Sequence, residues 1–523
     1  MNKAFKTYTR IIPKLDIKGP NLVKGIHLEG LRVLGKPEDF ARIYYEEGAD
    51  ELIYIDLVAS LYGRSNLIEI VQRIANRIFI PLTVGGGVRT LEDMHLLLRA
   101  GADKIAVNTA LFENIDLLEK GAEIYGSQCM VVYIEAKKNS LGIYECMHTN
   151  ARENSGIKVL DWVKQVEAKG AGEIFLTFVD TEGTGRGTDG EFIKQLMTSV
   201  SIPIIVNGGF GRTAHMVEAA ENGADAVAAA SMFHYHALDR IKDSSPREKE
   251  GNTAYIEHKR SEHTRFLEEK IEPVGIQTVK NDIISAGGFC RMEPREDENK
   301  ETQGIVSPSG PEVVVVDYRM GNIFSLCRAL KKVGAKVVVS NDPGVISKAG
   351  YLVLPGVGAF PKAMENLENL GLIDPVRCHA EKGKPLLGIC LGMQLLFSES
   401  EERVVSKGLD IVRGKVSRLF RENFVPHPKL PHIGWNILDM NGAGGKARHN
   451  TLFASLTPGR FAYFVHSYAV KDIEDEFVLS LTEYGGERFC SAVQKDNVAG
   501  CQFHPEMSGT TGLEILKQFI GMK

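Results

Sequence analysis

The sequence lacks the features that mark exported, membrane-spanning or nucleic-acid-binding chains. None of its eight cysteines lies within three residues of another, so the CxxC spacing of redox motifs and zinc fingers is missing. There is no apolar run of about 18 residues and no apolar core of a secretion signal. The net charge of -5 gives no overall attraction to nucleic acid or to an anionic membrane. We therefore expect a cytoplasmic protein without a metal, a cofactor, nucleic acid or a membrane as partner.

What the sequence does contain is an ordinary globular composition, with 43% hydrophobic and 25% charged residues. These proportions exclude wholesale disorder and collagen-like architecture. At 523 residues the chain is too long for a single core, because domains average roughly 150 residues. We expect at least two domains, each with its own core.

The first half alternates short β-branched runs with longer segments of helical period. This alternation predicts βαβ units and a parallel sheet. Eight repeats in about 240 residues match the size of a closed (β/α)8 TIM barrel, and a doubly wound open sheet is the alternative. The predicted strands read IIPKLDI, ELIYIDL, IPLTV, KIAVN, MVVYIEA, EIFLTFVD, IPIIV and AVAAA.

An internal repeat supports the barrel. Four groups of residues recur at one offset of 122, and Asp16 and Glu135 occupy similar tetrapeptides at an offset of 119. A repeat of this kind predicts two half-barrels. The recurring groups are Ile80-Pro81 with Ile202-Pro203, Gly86-Gly87 with Gly208-Gly209, 101–103 with 223–225, and Thr109 with Ser231.

A charged, Ser/Pro/Gly-containing stretch then separates two α/β patterns. We predict a barrel over residues 1–243, a linker over 244–311 with one helix near 254–269, and a second α/β domain over 312–523. In the alternative, part of the stretch closes the barrel as an added helix.

Cys390 lies in a strand-turn-helix motif of the second domain. The sequence GICLGMQ follows an apolar run and precedes a helical one, like the GxSxG nucleophile elbow with sulfur in place of oxygen. The N-terminus of the helix favours a thiolate, so we predict that Cys390 attacks a carbonyl carbon. The alternative is a buried structural cysteine.

The segment FHPE offers the proton carrier that a thiolate needs. We predict a triad in which His504 serves Cys390 and Glu506 orients His504. For the oxyanion we expect the backbone amides of Leu391 and of Val357, which lies in the loop PGVG. An ordinary glycine turn is the alternative for that loop.

These residues resemble class I glutamine amidotransferases over 312–523, and the motifs VDYRMGNIFS, LPGVGAF, GICLGMQLLF, HIGWN, FVHSY and FHPE are most similar to the glutaminase of imidazole glycerol phosphate synthases. The resemblance implies that Cys390 attacks the amide of glutamine and that His504 protonates departing ammonia. It also implies that Gln394 helps to bind glutamine. The family's lysine after HPE, which reaches an Asp of the partner barrel, is Met507 here, so we expect altered coupling.

Two carboxylates and two glycine pairs mark a site on the barrel. Asp16 and Glu135 end the first and fifth predicted strands, so they would face each other across the catalytic end as general acid and base. For either residue alone, a helix cap or a salt-bridged strand end is the alternative. A substrate with a phosphate at each end would suit the two glycine pairs, where amides and hydroxyls lie near helix N-termini. The predicted phosphate-binding residues are Gly87, Thr109, Gly183, Gly209, Ala230 and Ser231.

Residues 5–240 resemble the cyclase of the same synthases. The resemblance implies that Asp16 is one catalytic acid/base and that Lys24 belongs to a mobile loop. Glu135 and Glu182 stand where the family has Asp, and Lys14 stands where it has a small residue or Cys. The family's charged ring, an entry gate for ammonia, is matched by Arg10, Glu51, Lys104 and Glu173, with a surface salt-bridge cluster as the alternative.

The two resemblances together imply a bifunctional enzyme of histidine biosynthesis. Its partners would be glutamine, a bis-phosphorylated substrate and an intramolecular interface through which ammonia passes. One alternative is an ammonia supplier for a separate sugar amidotransferase of surface-polysaccharide synthesis. Another is a noncatalytic barrel that regulates the glutaminase.

Overall fold

The computed structural model describes residues 7–57, 67–241, 270–292, 310–420, 428–440 and 451–522. The chain divides into two compact units, one formed by most of residues 7–292 and the other by most of the residues that follow. Within the described residues, no helix is long and apolar enough to cross a membrane. In the same residues no group of three His, Cys, Asp or Glu side chains is arranged to hold a metal ion.

The first unit is a closed parallel barrel with two hairpins. Its described strands are β1 (Arg10–Lys18), β2 (Asn21–Ile26), β3 (Glu29–Gly35), β4 (Leu52–Asp56), β5 (Leu82–Gly85), β6 (Lys104–Val107), β7 (Met130–Lys138), β8 (Tyr144–His148), β9 (Glu153–Lys158), β10 (Glu173–Phe178), β11 (Ile204–Asn207) and β12 (Ala226–Ala229). The barrel order is β1-β4-β5-β6-β7-β10-β11-β12, and β12 pairs again with β1. This confirms the predicted (β/α)8 barrel and excludes the open sheet. Two further hairpins, β2-β3 and β8-β9, extend β1 and β7 and were not predicted.

Helices surround the barrel between its strands. They are α1 (Pro37–Glu46), α2 (Leu67–Ala75), α3 (Leu91–Ala100), α4 (Thr109–Glu113), α5 (Asp116–Tyr125), α6 (Val159–Ala168), α7 (Gly190–Ser199), α8 (Thr213–Glu221), α9 (Ser231–Leu238) and α10 (Ile276–Ser285). Helix α3 begins where it does because its first residues form a capping box. The Thr90 side chain accepts a hydrogen bond from the Asp93 amide, and the Asp93 side chain caps the Thr90 amide in return.

The repeat at an offset of 122 is also a repeat of hydrogen bonds. Asp103 accepts a 2.8 Å hydrogen bond from the Leu82 amide, and Asp225 accepts one of the same length from the Ile204 amide. Each aspartate ends a Gly-Ala-Asp sequence and holds the start of the preceding strand. A third copy, at 48–50, was missed in the sequence, and its Asp50 accepts from the Ile11 amide at 2.8 Å.

Part of the predicted linker belongs to the barrel. Helix α10 lies inside the range 244–311, and residues 270–292 fall in the first unit. The buried Lys280 and Arg291 both bond Asp50, at 2.7 and 2.8 Å, which ties this segment to the start of the barrel. The linker interpretation is therefore wrong for 270–292, and the alternative of an added helix holds there. The predicted helix at 254–269 lies outside the described residues.

The second unit is a mixed sheet with helices and a separate two-stranded sheet, as its α/β pattern predicts. Strands β14, β13, β15, β16 and β25 are parallel, and β24, β22, β19, β17 and β18 continue the sheet from β25. The bounds are β13 (Glu312–Val316), β14 (Lys336–Ser340), β15 (Tyr351–Leu354), β16 (Leu386–Ile389), β17 (Glu399–Ser400), β18 (Ser406–Lys407), β19 (Lys415–Arg418), β20 (His432–Ile437), β21 (Phe461–His466), β22 (Tyr468–Asp472), β23 (Val478–Tyr484), β24 (Glu487–Lys495) and β25 (Val498–Cys501). The helices are α11 (Ile323–Lys332), α12 (Pro343–Lys348), α13 (Phe360–Asn369), α14 (Ile373–Glu381), α15 (Leu391–Leu395) and α16 (Gly509–Ile520).

Candidate active sites

Cys390 lies at the sharp turn between β16 and α15, as the motif predicts. Its backbone has φ 49° and ψ -107°, a strained conformation for a residue with a side chain. The turn is possible because Gly388 and Gly392 leave room: a Cβ on Gly392 would lie 1.9 Å from the carbonyl oxygen of Leu354. Cys390 is 4% exposed, so its thiol is held in a site from which water is largely excluded.

His504 and Glu506 lie beside this cysteine. His504 Nδ1 is 2.8 Å from Glu506 Oε1, and both side chains are buried. Burial lowers the pKa of His504, but the Cys390 thiolate and Glu506 outweigh it and raise that pKa well above its ordinary value. A histidine that holds its proton beside a nucleophilic sulfur can pass that proton to a leaving group, as nucleophilic catalysis by cysteine requires.

Gln502 is a site residue that the sequence reasoning missed. Its side-chain nitrogen donates to Cys390 Sγ at 3.6 Å, and its oxygen accepts from Gln394 Nε2 at 3.1 Å. Gln394 also donates to the Tyr468 carbonyl at 2.8 Å, which places the predicted glutamine-binding residue in the wall of the thiol site. Gln502 directly precedes the FHPE segment, but its place beside Cys390 comes from the pairing of β25 with β16, which the sequence does not show.

The loop that contains Val357 runs along the nucleophile elbow. A Cβ on Gly356 would lie 2.2 Å from the Gly392 amide nitrogen and 2.6 Å from Leu391 Cβ. Tyr318 donates its hydroxyl to the Pro355 carbonyl and so fixes the start of the loop. The structure brings both predicted oxyanion residues, Val357 and Leu391, to the neighbourhood of Cys390.

Asp16 and Glu135 lie at the carboxyl ends of β1 and β7, which are diametrically opposite in the eight-stranded order. Both are buried, with 1% and 2% of their surface exposed. Asp16 forms an ion pair with Lys14 at 2.8 Å, whereas Glu135 accepts a 2.8 Å hydrogen bond from the Ala151 amide. Burial raises the pKa of Glu135 to about 7. The two carboxyl groups therefore meet different environments.

Lys24 of β2 is bound to the loop after β10. Its ammonium forms an ion pair with Glu182, and the His27 amide donates to the Glu182 carbonyl at 2.9 Å. Burial raises the pKa of Glu182, but Lys24 and Lys14 outweigh it and hold the pKa at about 2. The hairpin β2-β3 is thus attached to the catalytic end of the barrel through a buried ionic contact.

The predicted phosphate loops have matching backbone conformations in the two half-barrels. Gly86 and Gly208 have φ near 100°, at 104° and 102°, and the glycines that follow have 69° and 79°. These positive angles favour glycine. Thr109 and Ser231 are the first residues of α4 and α9, and Ala230 precedes Ser231. The two predicted anion sites therefore have the same backbone conformation in the two half-barrels.

One pocket joins the first phosphate loop to Glu135. Its wall includes Gly87, Asn108, Thr109, Glu135 and Asn150. Thr109 Oγ1 accepts a 3.1 Å hydrogen bond from the Thr149 amide, so the turn of the β8-β9 hairpin covers this end of the pocket.

The second phosphate loop lies beside the glycine-rich loop after β10. Gly187 donates its amide to the Gly209 carbonyl at 2.7 Å. Gly183, in the same loop, follows Glu182, which binds Lys24. The second set of predicted phosphate residues thus shares its end of the barrel with Lys24.

The predicted gate is a closed ring of four buried charges at the starts of the barrel strands. Arg10 binds Glu51 at 2.8 Å and Glu173 at 2.6 Å. Lys104 binds the same two carboxylates at 2.7 and 2.6 Å. All four side chains are at most 1% exposed, so the alternative of a surface cluster is wrong. Burial raises the pKa of Glu51, but Arg10 and Lys104 outweigh it and hold the pKa at about 2.

The folds and sites define the class of protein: a (β/α)8-barrel enzyme joined to a class I glutamine amidotransferase. The family model described as "Histidine biosynthesis protein" matches residues 10–239, and that of "Glutamine amidotransferase class-I" matches 314–522. Three similar proteins are each called imidazole glycerol phosphate synthase subunit HisF. The protein from Legionella pneumophila is 56% identical over 39% of this chain and 96% of its own length. Those from Wolinella succinogenes and Pyrobaculum aerophilum are 46% and 49% identical, each over 44% of this chain and 91% of their own length.

Through its barrel, this chain belongs to the imidazole glycerol phosphate synthase HisF family, and a glutamine amidotransferase domain of class I follows in the same polypeptide.

Proposed function

We propose that the chain is a bifunctional imidazole glycerol phosphate synthase. Glutamine is hydrolysed at Cys390, and the barrel uses the ammonia to cleave and cyclise a bis-phosphorylated ribulosyl aminoimidazole carboxamide ribotide. The observation that carries this proposal is the barrel end, where Asp16 and Glu135 lie on opposite strands and two glycine loops repeat the same conformation. A substrate with two phosphates and a reacting centre between them fits that arrangement.

The glutaminase half of the reaction follows from the triad. The Cys390 thiolate attacks the amide carbon, and His504 gives its proton to the departing ammonia. The amides of Leu391 and Val357 would stabilise the oxyanion. Water, activated by His504, then releases glutamate from the thioester. Glu506 keeps the imidazole in the orientation that both transfers need.

The barrel half supplies binding and proton transfer. Backbone amides at Gly87 and Gly209, with the hydroxyls of Thr109 and Ser231, would hold the two phosphates. Asp16 and Glu135 then lie at the reacting carbons and move protons. Lys24, bound to Glu182, places an ammonium near the second phosphate site.

Ammonia must reach the barrel without meeting bulk water, where it would be protonated and lost as a nucleophile. The ring of Arg10, Glu51, Lys104 and Glu173 closes the end of the barrel opposite to Asp16 and Glu135. We propose that ammonia enters through this ring and that the interior of the barrel is its conduit. The ion pairs must rearrange for each molecule that passes.

The test supplies the purified chain with the carboxamide substrate and either glutamine or an ammonium salt, and follows the imidazole product. We expect product from both nitrogen sources. Cys390→Ala should abolish the glutamine-driven reaction and keep the ammonium-driven one, whereas Asp16→Asn should abolish both and keep glutamine hydrolysis.

Glutamine hydrolysis without imidazole product from either nitrogen source would overturn the proposal. That result would favour the ammonia supplier for a sugar amidotransferase. If the substrate in addition fails to bind, a regulatory barrel would be the better account.

A further inference from the structure

Lys14 is a buried cation inside the barrel that has no role in the reaction described above. Successive side chains of a strand point to opposite faces, so Arg10, Ile12, Lys14 and Asp16 share one face of β1. That face is the interior, because Arg10 belongs to the buried ring and Asp16 to the catalytic end. Lys14 is fully buried, and its ammonium lies 2.8 Å from Asp16 Oδ1.

A lysine in such a place stays charged only if anions compensate for the lost water. Burial lowers the pKa of Lys14, but Asp16, followed by Tyr133 and Glu182, outweighs this effect and raises it above its ordinary value. Glu182 has a closer cation in Lys24. The ammonium of Lys14 is therefore directed mainly to Asp16.

We propose that Lys14 is a positioning residue of the barrel site: its ammonium keeps Asp16 as the carboxylate that accepts protons, which leaves Glu135 as the carboxyl that donates them. This inference rests on the proposed function and divides the general acid and base roles between the two carboxyls.

Glu135 has the environment that a proton donor needs. Glu135 accepts a 2.8 Å hydrogen bond from the neutral Ala151 amide, and Tyr133 and Asn108 are further uncharged partners. Burial, which raises the pKa of Glu135, has a larger effect than Lys14, which lowers it. With its pKa raised to about 7 by burial, Glu135 is protonated in a large fraction of molecules at neutral pH. Two titratable groups whose surroundings differ in this way commonly divide acid and base roles.

Beyond the larger effect of burial, Lys14 also lowers the pKa of Glu135 and of Glu182, but the carboxylate in contact with its ammonium is Asp16. Strand β7 presents Tyr133 and Glu135, and the loop after β10 presents Glu182, already bound by Lys24. Helix α9 presents His234, whose pKa burial lowers to about 3, with Lys24 and Lys14 adding to the effect. The backbone neighbours of β1 at this level are Ile53 of β4 and Ala229 of β12, which bring no charge.

With one carboxyl as base and the other as acid, the protons of the first chemical step are accounted for. Condensation of ammonia with a carbonyl carbon forms a C=N bond, breaks the C–O bond and releases water. Two protons pass from nitrogen to the departing oxygen. Asp16 removes protons from nitrogen and Glu135 supplies them to oxygen, and both carboxyls return to their starting states through proton exchange with each other or with solvent.

The experiment measures the pH dependence of kcat/KM for ammonium-driven imidazole formation in Lys14→Met. The substitution removes the cation that lies 2.8 Å from Asp16, so we expect the acid limb to move to higher pH by ~1 unit or more. Lys14→Arg, which keeps a cation, should stay near the wild-type profile. Lys18→Met, at an exposed lysine of the same strand, is the matched control and should leave the profile unchanged.

A second readout needs no substrate. Infrared difference titration follows carboxyl protonation in the full chain, and the Asp16 signal is assigned as the band that Asp16→Asn removes. We expect that band to form at higher pH in Lys14→Met than in the wild type. Lys14→Gln replaces Lys14→Met if the latter does not fold.

The outcomes separate the two proposals. An acid limb and a carboxyl band that both stay in place in a folded Lys14→Met chain would overturn the role of Lys14. If the wild type makes no imidazole product, the proposed function fails, and the infrared titration alone then decides whether Lys14 controls the protonation of Asp16.

Discussion

Cys390, the predicted nucleophile, is also a residue with a strained backbone. A φ of 49° places the thiol at the tip of the turn, ahead of helix α15, where the amides at the helix start favour negative charge. The strain is retained because Gly388 and Gly392 let three backbone segments approach one another closely. The position of the thiol at the turn therefore depends on glycines at 388 and 392, where a side chain would clash with neighbouring backbone.

The orienting carboxylate of the triad gives the first prediction. Glu506→Gln keeps the shape of the side chain but removes the charge that stabilises the His504 imidazolium across 2.8 Å. We expect kcat for glutamine hydrolysis to fall ~10²-fold or more, with ammonium-driven synthesis unchanged. A steady-state glutaminase assay measures it, and an unaltered kcat would show that Glu506 does not act through His504.

The buried Glu135 gives a prediction on stability. Its pKa is about 7 in the folded chain and near 4.5 when exposed, so the folded state binds the extra proton between these values. The favourable contribution is present below pH ~4.5 and is lost as the pH rises through 7. Relative to the wild type, Glu135→Gln should therefore gain stability when the pH is raised from 5 to 8, by about 5–10 °C in Tm.

Thermal unfolding at both pH values measures this difference. Glu113→Gln, at an exposed glutamate, serves as the control and should show no such pH dependence. An equal effect of Glu135→Gln at pH 5 and pH 8 would show that this carboxyl is not held protonated by burial.

Sequence motifs predicted the residues whose chemistry is local and missed those whose role depends on contacts across the fold. Cys390, His504 and Glu506 lie in short motifs with recognisable spacing. Gln502 contacts the thiol only because β25 pairs with β16, and sequence spacing does not show that pairing. Lys14 was noted as unusual, and its ion pair with Asp16 joins two residues of one strand, but its burial inside the barrel is not visible in the sequence.

At the scale of elements, the barrel strands were predictable and the hairpins were not. The eight barrel strands are short β-branched runs buried on both faces, a pattern typical of parallel sheets. Strand β9, ENSGIK, has exposed and half-exposed residues throughout and no such pattern. Helix α10 was hidden within a charged stretch, because its buried Lys280, like Arg291 beyond the helix, resembles a linker residue until the ion pairs with Asp50 are known.

The contact of α10 with Asp50 gives a third prediction. Lys280→Met removes one of the two cations that compensate a buried carboxylate, so we expect the barrel to lose about 3 kcal/mol of unfolding free energy. Urea unfolding measures the loss, and Asn281→Ala, at an exposed neighbour, should change stability little. A stable Lys280→Met chain would mean that α10 does not hold the start of the barrel.

For the whole molecule, the proposed gating role of the four-charge ring would connect stability with the delivery of ammonia. Each carboxylate binds both cations, so the loss of any member leaves buried charge without full compensation. Such a ring can keep water out of the barrel while the ion pairs are closed. Its integrity should therefore determine how tightly glutamine hydrolysis is linked to synthesis.

The fourth prediction concerns that linkage. In Lys104→Met the ring cannot close, so ammonia should escape and be protonated. We expect the ratio of imidazole product to glutamate to fall below one, together with a loss of about 3 kcal/mol in stability. Parallel assays of the two products test this, with Lys164→Met at an exposed lysine as the control. An unchanged ratio would contradict a gating role.

The duplication of the half-barrel affects the orientation in which a substrate can bind. Because the two glycine loops have the same conformation, a symmetrical anion could bind in either orientation. The orientation of a substrate must therefore be set by residues that differ between the two half-barrels. The hairpin after β1 brings an ammonium, Lys24, whereas the hairpin after β7 brings the uncharged amides of Thr149 and Ala151. For the proposed substrate, we expect this difference between one ammonium and two backbone amides to set the direction in which the molecule binds.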